Sequence, residues 1–125
     1  MIFDIFHVNG IFHTRLDGEP DASSLEAYYE KLTSHKEWNN SSKILSDETS
    51  MSYQKIKSAD MQKLARITTS FKNKFKNSSI AVYVNSEYNF GMARMWQSYV
   101  DTELNAKVCI FRSYEAANSW LKEQL

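Results

Sequence analysis

Asp47 is the carboxylate best placed to do chemistry in this chain. It closes Lys43–Asp47, an apolar-centred segment that reads as a buried strand. Open α/β sheets hold their ligands beyond the carboxyl ends of such strands. Asn85 and Ser86, then Arg112 and Ser113, follow the next two apolar runs, so these residues and Asp47 are candidates for one shared rim. A plainer reading competes with this one: Ser86 and Ser113 suit helix N-caps, and Asp47 then only orders its own loop.

A second group follows Gly91. At helical spacing Met92, Ala93, Met95, Trp96, Tyr99, Val100 and Leu104 span about half the circumference, more than a surface helix usually buries. Trp96 sits near the centre of that arc and is expected in the core. Met92, Met95 and Tyr99 are candidates to line an apolar pocket or a partner surface, because methionine and tyrosine suit adaptable contacts. The alternative is that the whole arc is core.

Other chemistry finds no support in the residue pattern. His7 and His13 fall on opposite faces of an expected hairpin, and His35 is expected near a helix end facing solvent. They do not converge on a metal ion. The one cysteine, Cys109, lies in an apolar strand and reads as a buried, inert thiol. Gly10, Gly18 and Gly91 are too scattered to cradle a phosphate. No catalytic residue, metal ligand or cofactor is therefore expected.

The elements that must position these residues follow from local signals. Asn9-Gly10, between Ile2–Val8 and Ile11–Leu16, marks a type I′ hairpin turn. It pairs Val8 with Ile11 and Asp4 with Arg15. Phe3, Ile5, Phe12 and Leu16 then share a core face, opposite Asp4, Phe6, Val8, Ile11, His13, Arg15 and Asp17. Ser23 and Glu26 have capping-box spacing ahead of Leu25, Tyr28, Tyr29 and Leu32. After Lys43–Asp47, a loop from Glu48 to Lys57 leads to Ser58 as N-cap. Met61, Leu64, Thr68, Phe71 and Phe75 make one face of the next helix. The runs Ile80–Val84 and Val108–Phe111 read as buried strands around the helix Glu87–Leu104, and Ser113–Leu121 closes the pattern. A helix between two such strands implies a parallel pair.

The 125 residues are expected to form a single domain. With 15 basic and 15 acidic side chains the net charge is zero, which gives no field to attract nucleic acid or an anionic membrane. No stretch is long and apolar enough for a membrane span, and a cytoplasmic location is expected.

The strand–loop–helix from Lys43 through Met61 and the stretches Asn85–Trp96 and Val108–Leu121 resemble SpoIIAA-like proteins, small bacterial domains that share the STAS and SEC14 fold. The elements read along the chain already give the order ββαβαβαβα, an α/β mixed sheet with an N-terminal hairpin joined to three parallel strands, and the resemblance implies the same fold. With no nucleophile and base, metal cluster or cofactor loop in the pattern, the expectation is a non-catalytic domain of this kind that binds a protein partner or a small apolar ligand, with a homodimer as one arrangement. A SEC14-like lipid-binding module and an anti-sigma antagonist are the alternatives. Antagonists of that kind carry a phosphorylated serine in an Asp-Ser-Ser-Gly-like turn. Here the corresponding stretch is Asp47-Glu48-Thr49-Ser50-Met51-Ser52, without the glycine, so the phospho-switch does not carry over.

Overall fold

A computed structural model describes residues 1–124. Asn9 and Gly10 make the expected turn, with φ of 52° and 79°, the left-handed values that a type I′ loop requires. The turn joins β1 (Ile2–Val8) to β2 (Ile11–Gly18). Its register is the expected one: Val8 opposite Ile11, His7 opposite Phe12, Phe6 opposite His13 and Asp4 opposite Arg15. Phe12 and Leu16 are buried, and Phe3 and Ile5 pack half-buried beside them.

β3 (Lys43–Met51), β4 (Ser79–Tyr83) and β5 (Lys107–Phe111) complete a sheet whose spatial order is the chain order, β1-β2-β3-β4-β5. Only the β1–β2 pair is antiparallel. The helices α1 (Ala22–Thr33), α2 (Ser58–Ser70) and α4 (Glu87–Val100) cover one face, with the one-turn α3 (Lys72–Phe75) extending α2. The last helix, α5 (Tyr114–Glu123), covers the other face. This is the ββαβαβαβα order with an N-terminal hairpin that the sequence implied. The main core lies between the sheet and α1, α2 and α4. A smaller one joins Ile11, Leu45 and Ala81 to Ala117 and Leu121 beneath α5, so Ile11 is buried although its face is the more polar one.

Several local expectations are corrected. β3 does not end at Asp47. β2 runs on to Gly18 and, after a register shift beyond Arg15, pairs Asp17 with Ser50 and Gly18 with Met51. The cap of α1 is Asp21, whose Oδ1 accepts from the Ser24 amide at 2.8 Å, and Ser23 lies inside the first turn. α2 starts one residue early. Lys57 stands at the N-cap, its amide donating to Asp60 Oδ2 at 2.9 Å, so Ser58 is not the cap. The helix also stops at Ser70 rather than running through Phe75. The hydroxyls of Thr69 and Ser70 donate to the carbonyls of Arg66 and Ile67, a local alternative to backbone pairing that favours termination. α4 ends at Val100, ahead of Asn105 with φ of 55°. β5 is an edge strand, and Cys109 is half-buried, not fully enclosed.

Candidate functional site

Asp47 lies in register with Tyr83, and Tyr83 with Phe111, so the expected rim residues stand at or just past matching positions of neighbouring strands, but Asp47 and Arg112 are each engaged locally. Asp47 Oδ1 accepts from the amide and hydroxyl of Thr49, at 3.0 and 2.7 Å, which is the loop-ordering role. Arg112 is committed to Glu87, with Nε and one terminal nitrogen 2.7 and 3.1 Å from the two carboxylate oxygens. Its guanidinium lies 3.6 Å from the centroid of the Phe90 ring. Asn85 is exposed, and among the described residues Asp47, Asn85 and Arg112 do not hydrogen-bond one another. Ser86 and Ser113 cap α4 and α5 by accepting from the amides of Asn89 and Ala116.

The arc on α4 divides in the same sober way. Met92 is buried in the core, and Met95 packs half-buried against it. Tyr99 is on the surface, its hydroxyl 3.3 Å from Ser58 Oγ and 3.4 Å from Gln62 Nε2. Trp96, at the centre of the arc and expected in the core, is half-buried. His35 is not turned to solvent: it is half-buried, edge-on to Phe12 with ring centroids 5.1 Å apart.

Another candidate lies one residue beyond Asp47. Alternation along β3 sends Asp47 towards α5 and turns Ile44, Ser46 and Glu48 towards α1, α2 and α4. The longer β3 therefore carries a carboxylate into the main core. Between the sheet and these helices is a cavity of about 60 Å³, several times the roughly 10–15 Å³ that one water needs. Most of its wall is apolar, including Leu16, Leu25, Leu64 and Val82, and α4 contributes Ala93 and Trp96 rather than Met92, Met95 or Tyr99.

Within this wall the polar groups are few and paired. The Tyr53 hydroxyl donates to Glu48 Oε1 at 2.7 Å, and Ser46 Oγ donates to Oε2 at 3.0 Å. The Tyr28 hydroxyl donates to Thr14 Oγ1 at 2.8 Å. Thr68 Oγ1 donates to the Leu64 carbonyl, accepts from Trp96 Nε1 at 3.1 Å, and lies 2.8 Å from the Tyr29 hydroxyl. A hydroxyl has one proton to give and two lone pairs, so Tyr29 must be the donor in that last bond. Among the described residues no buried side-chain nitrogen or oxygen lacks a partner. The segment carrying Tyr53 is itself tied to α4: Asn89 Nδ2 donates to the Met51 carbonyl at 3.1 Å and the Tyr88 hydroxyl to the Tyr53 carbonyl at 3.3 Å.

Desolvation dominates the electrostatics. It raises the Glu48 carboxyl above the ordinary range, against the lowering effect of its bonds from Tyr53 and Ser46. Glu48 keeps part of its surface accessible, but the protein packed around the carboxyl makes desolvation the largest influence on it. Burial also raises the hydroxyls of Tyr28, Tyr29 and Tyr53, and for Tyr53 the neighbouring Glu48 adds to the effect. All three tyrosines thus remain protonated donors at neutral pH. Among the described residues no group of three or more His, Cys, Asp or Glu side chains has the geometry to hold a metal ion. No helix among them is long and apolar enough to cross a membrane.

No protein-family model matches the chain, and no curated protein sequence does. Among solved structures it is similar to an uncharacterised protein of the DUF3478 family from Shewanella loihica, which has a SpoIIAA-like fold. The two share 12% identity over 96% of this chain and 92% of that one, with a TM-score of 0.62. This chain thus has the SpoIIAA-like fold.

Proposed function

We propose that this is a non-catalytic binding domain that takes a small, mainly apolar molecule into the cavity between the sheet and α1, α2 and α4. One observation carries the reading: a cavity of about 60 Å³, walled mostly by apolar side chains, contains a single carboxylate, Glu48. Ligand sites commonly combine an apolar wall with a few placed polar groups. The volume suits a molecule of a few heavy atoms better than the long acyl chain of a SEC14-type lipid module.

The test is a fragment screen followed by amide-resolved NMR, with Ala93→Leu as the control that fills the cavity. The reading requires at least one small apolar fragment to perturb Ser46, Glu48 and Trp96, and Ala93→Leu to abolish the response. A screen in which no fragment perturbs these residues would refute it. A second reading, contact with a protein partner or a second copy, is favoured by Ile2, Phe6 and Val8. These side chains are 71%, 61% and 51% exposed on one face of the edge strand β1, where single apolar residues are ordinary but an aligned row is not.

A further inference from the structure

We propose that the ligand of this cavity carries a cationic nitrogen, as in a small primary alkylammonium ion, and that Glu48 is its counter-charge. The inference rests on the small-ligand reading and specifies the chemistry of that ligand.

The first argument is an unmatched charge. Glu48 receives only neutral donors, the hydroxyls of Tyr53 and Ser46. The ion pairs among the described residues are Met1 with Asp21 and Arg112 with Glu87, both elsewhere. A carboxylate has about four acceptor sites, so two bonds leave room for more. A carboxylate held away from water without a cation is costly, and an incoming cation relieves that cost.

The second argument is the company Glu48 keeps. Tyr28, Tyr29, Tyr53 and Trp96 all border the cavity. Aromatic rings attract cations through their quadrupoles, and cages of such rings are a recurrent way of holding ammonium groups. The same surroundings select against the alternatives. An anion meets Glu48 head-on, and a neutral molecule leaves the carboxylate as unmatched as before. Size completes the description, since about 60 Å³ admits a short aliphatic tail.

Titration of the protein at pH 7 with propylammonium, 1-propanol and propionate, followed by NMR at Ser46 and Trp96, separates the possibilities. Propylammonium is expected to bind at least tenfold more tightly than 1-propanol, with propionate excluded. Glu48→Gln should remove that preference, weakening propylammonium about tenfold while 1-propanol stays within twofold. Equal or tighter binding of 1-propanol to the unaltered protein overturns the cationic ligand and leaves the small-ligand reading standing. If none of the three probes reaches the cavity, the cationic ligand is overturned, and the broader fragment screen then decides the small-ligand reading separately. The ranking on the unaltered protein decides the matter even if Glu48→Gln does not fold.

Discussion

Replacing Thr68 with valine tests whether the polar groups around the cavity are joined as described. Valine keeps nearly the same shape, so little is lost by packing. What is lost is the oxygen that accepts from Tyr29 of α1 and Trp96 of α4. The Leu64 carbonyl keeps its place in the α2 backbone ladder, so two donors are orphaned and no acceptor is. A buried unsatisfied donor costs about 1–3 kcal/mol, and half-buried Trp96 falls near the lower figure, which makes the expected loss roughly 2–4 kcal/mol. A chain of this size has a total stability of about 6–15 kcal/mol, so the variant should still fold. Urea denaturation followed by circular dichroism should show a lower midpoint with an unchanged slope. Thr68→Ser, which keeps the oxygen, should cost much less. Adding Tyr29→Phe to Thr68→Val should cost less than the sum of the single changes, because one orphan disappears with the tyrosine hydroxyl. A loss below about 0.5 kcal/mol for Thr68→Val, within the range of an ordinary surface change, would refute the hub.

Two further outcomes follow from the same structure. Because burial raises the folded-state value of Glu48 above its ordinary 4.5, the folded protein retains a proton there that the unfolded chain releases. The associated stability is complete below 4.5 and declines as pH rises through the folded-state value; the gap in melting temperature between Glu48→Gln and the unaltered protein should widen over that range, and parallel curves would count against it. Asp21→Ala should lower stability by about 1 kcal/mol through loss of the α1 cap, whereas Ser23→Ala should be near neutral; equal effects in chemical denaturation would restore Ser23 to the cap.

The fold was legible where a local signal has one physical solution. Asn9-Gly10 tolerates positive φ at both turn positions, so the hairpin and its register followed directly. The apolar runs around Ile80–Val84 and Val108–Phe111 placed parallel strands on either side of α4. The site was not legible, because its key residue depends on a distant ladder. Ser46 and Glu48 look like the end of a strand and the start of a loop when read in isolation. Only the continuation of β2 to Asp17 and Gly18 keeps β3 extended through Met51, and only then does Glu48 face the helices. Alternation of Ile44, Ser46 and Glu48 was the available signal, but polarity on a core-facing row argues against a strand unless partners such as Tyr53 are already known. The arc on α4 misled for a related reason. Helical periodicity identifies a wide apolar surface, but not which part of it borders a void: Ala93 and Trp96 do, whereas Met92 and Met95 fill space.

The sheet's spatial order, identical to its chain order, bears on how the protein is made. No strand has to be inserted between two that are already paired, so the sheet can grow at a single advancing edge. A chain leaving the ribosome from its N-terminus can close the β1–β2 hairpin first and add β3, β4 and β5 in turn, each docking its preceding helix as it arrives. The smaller core cannot close until α5 is complete, because Ala117 and Leu121 belong to it. Substitutions in β5 and α5 should therefore speed unfolding and leave the folding rate almost unchanged, with φ-values near zero, while those in the hairpin and β3 should slow folding.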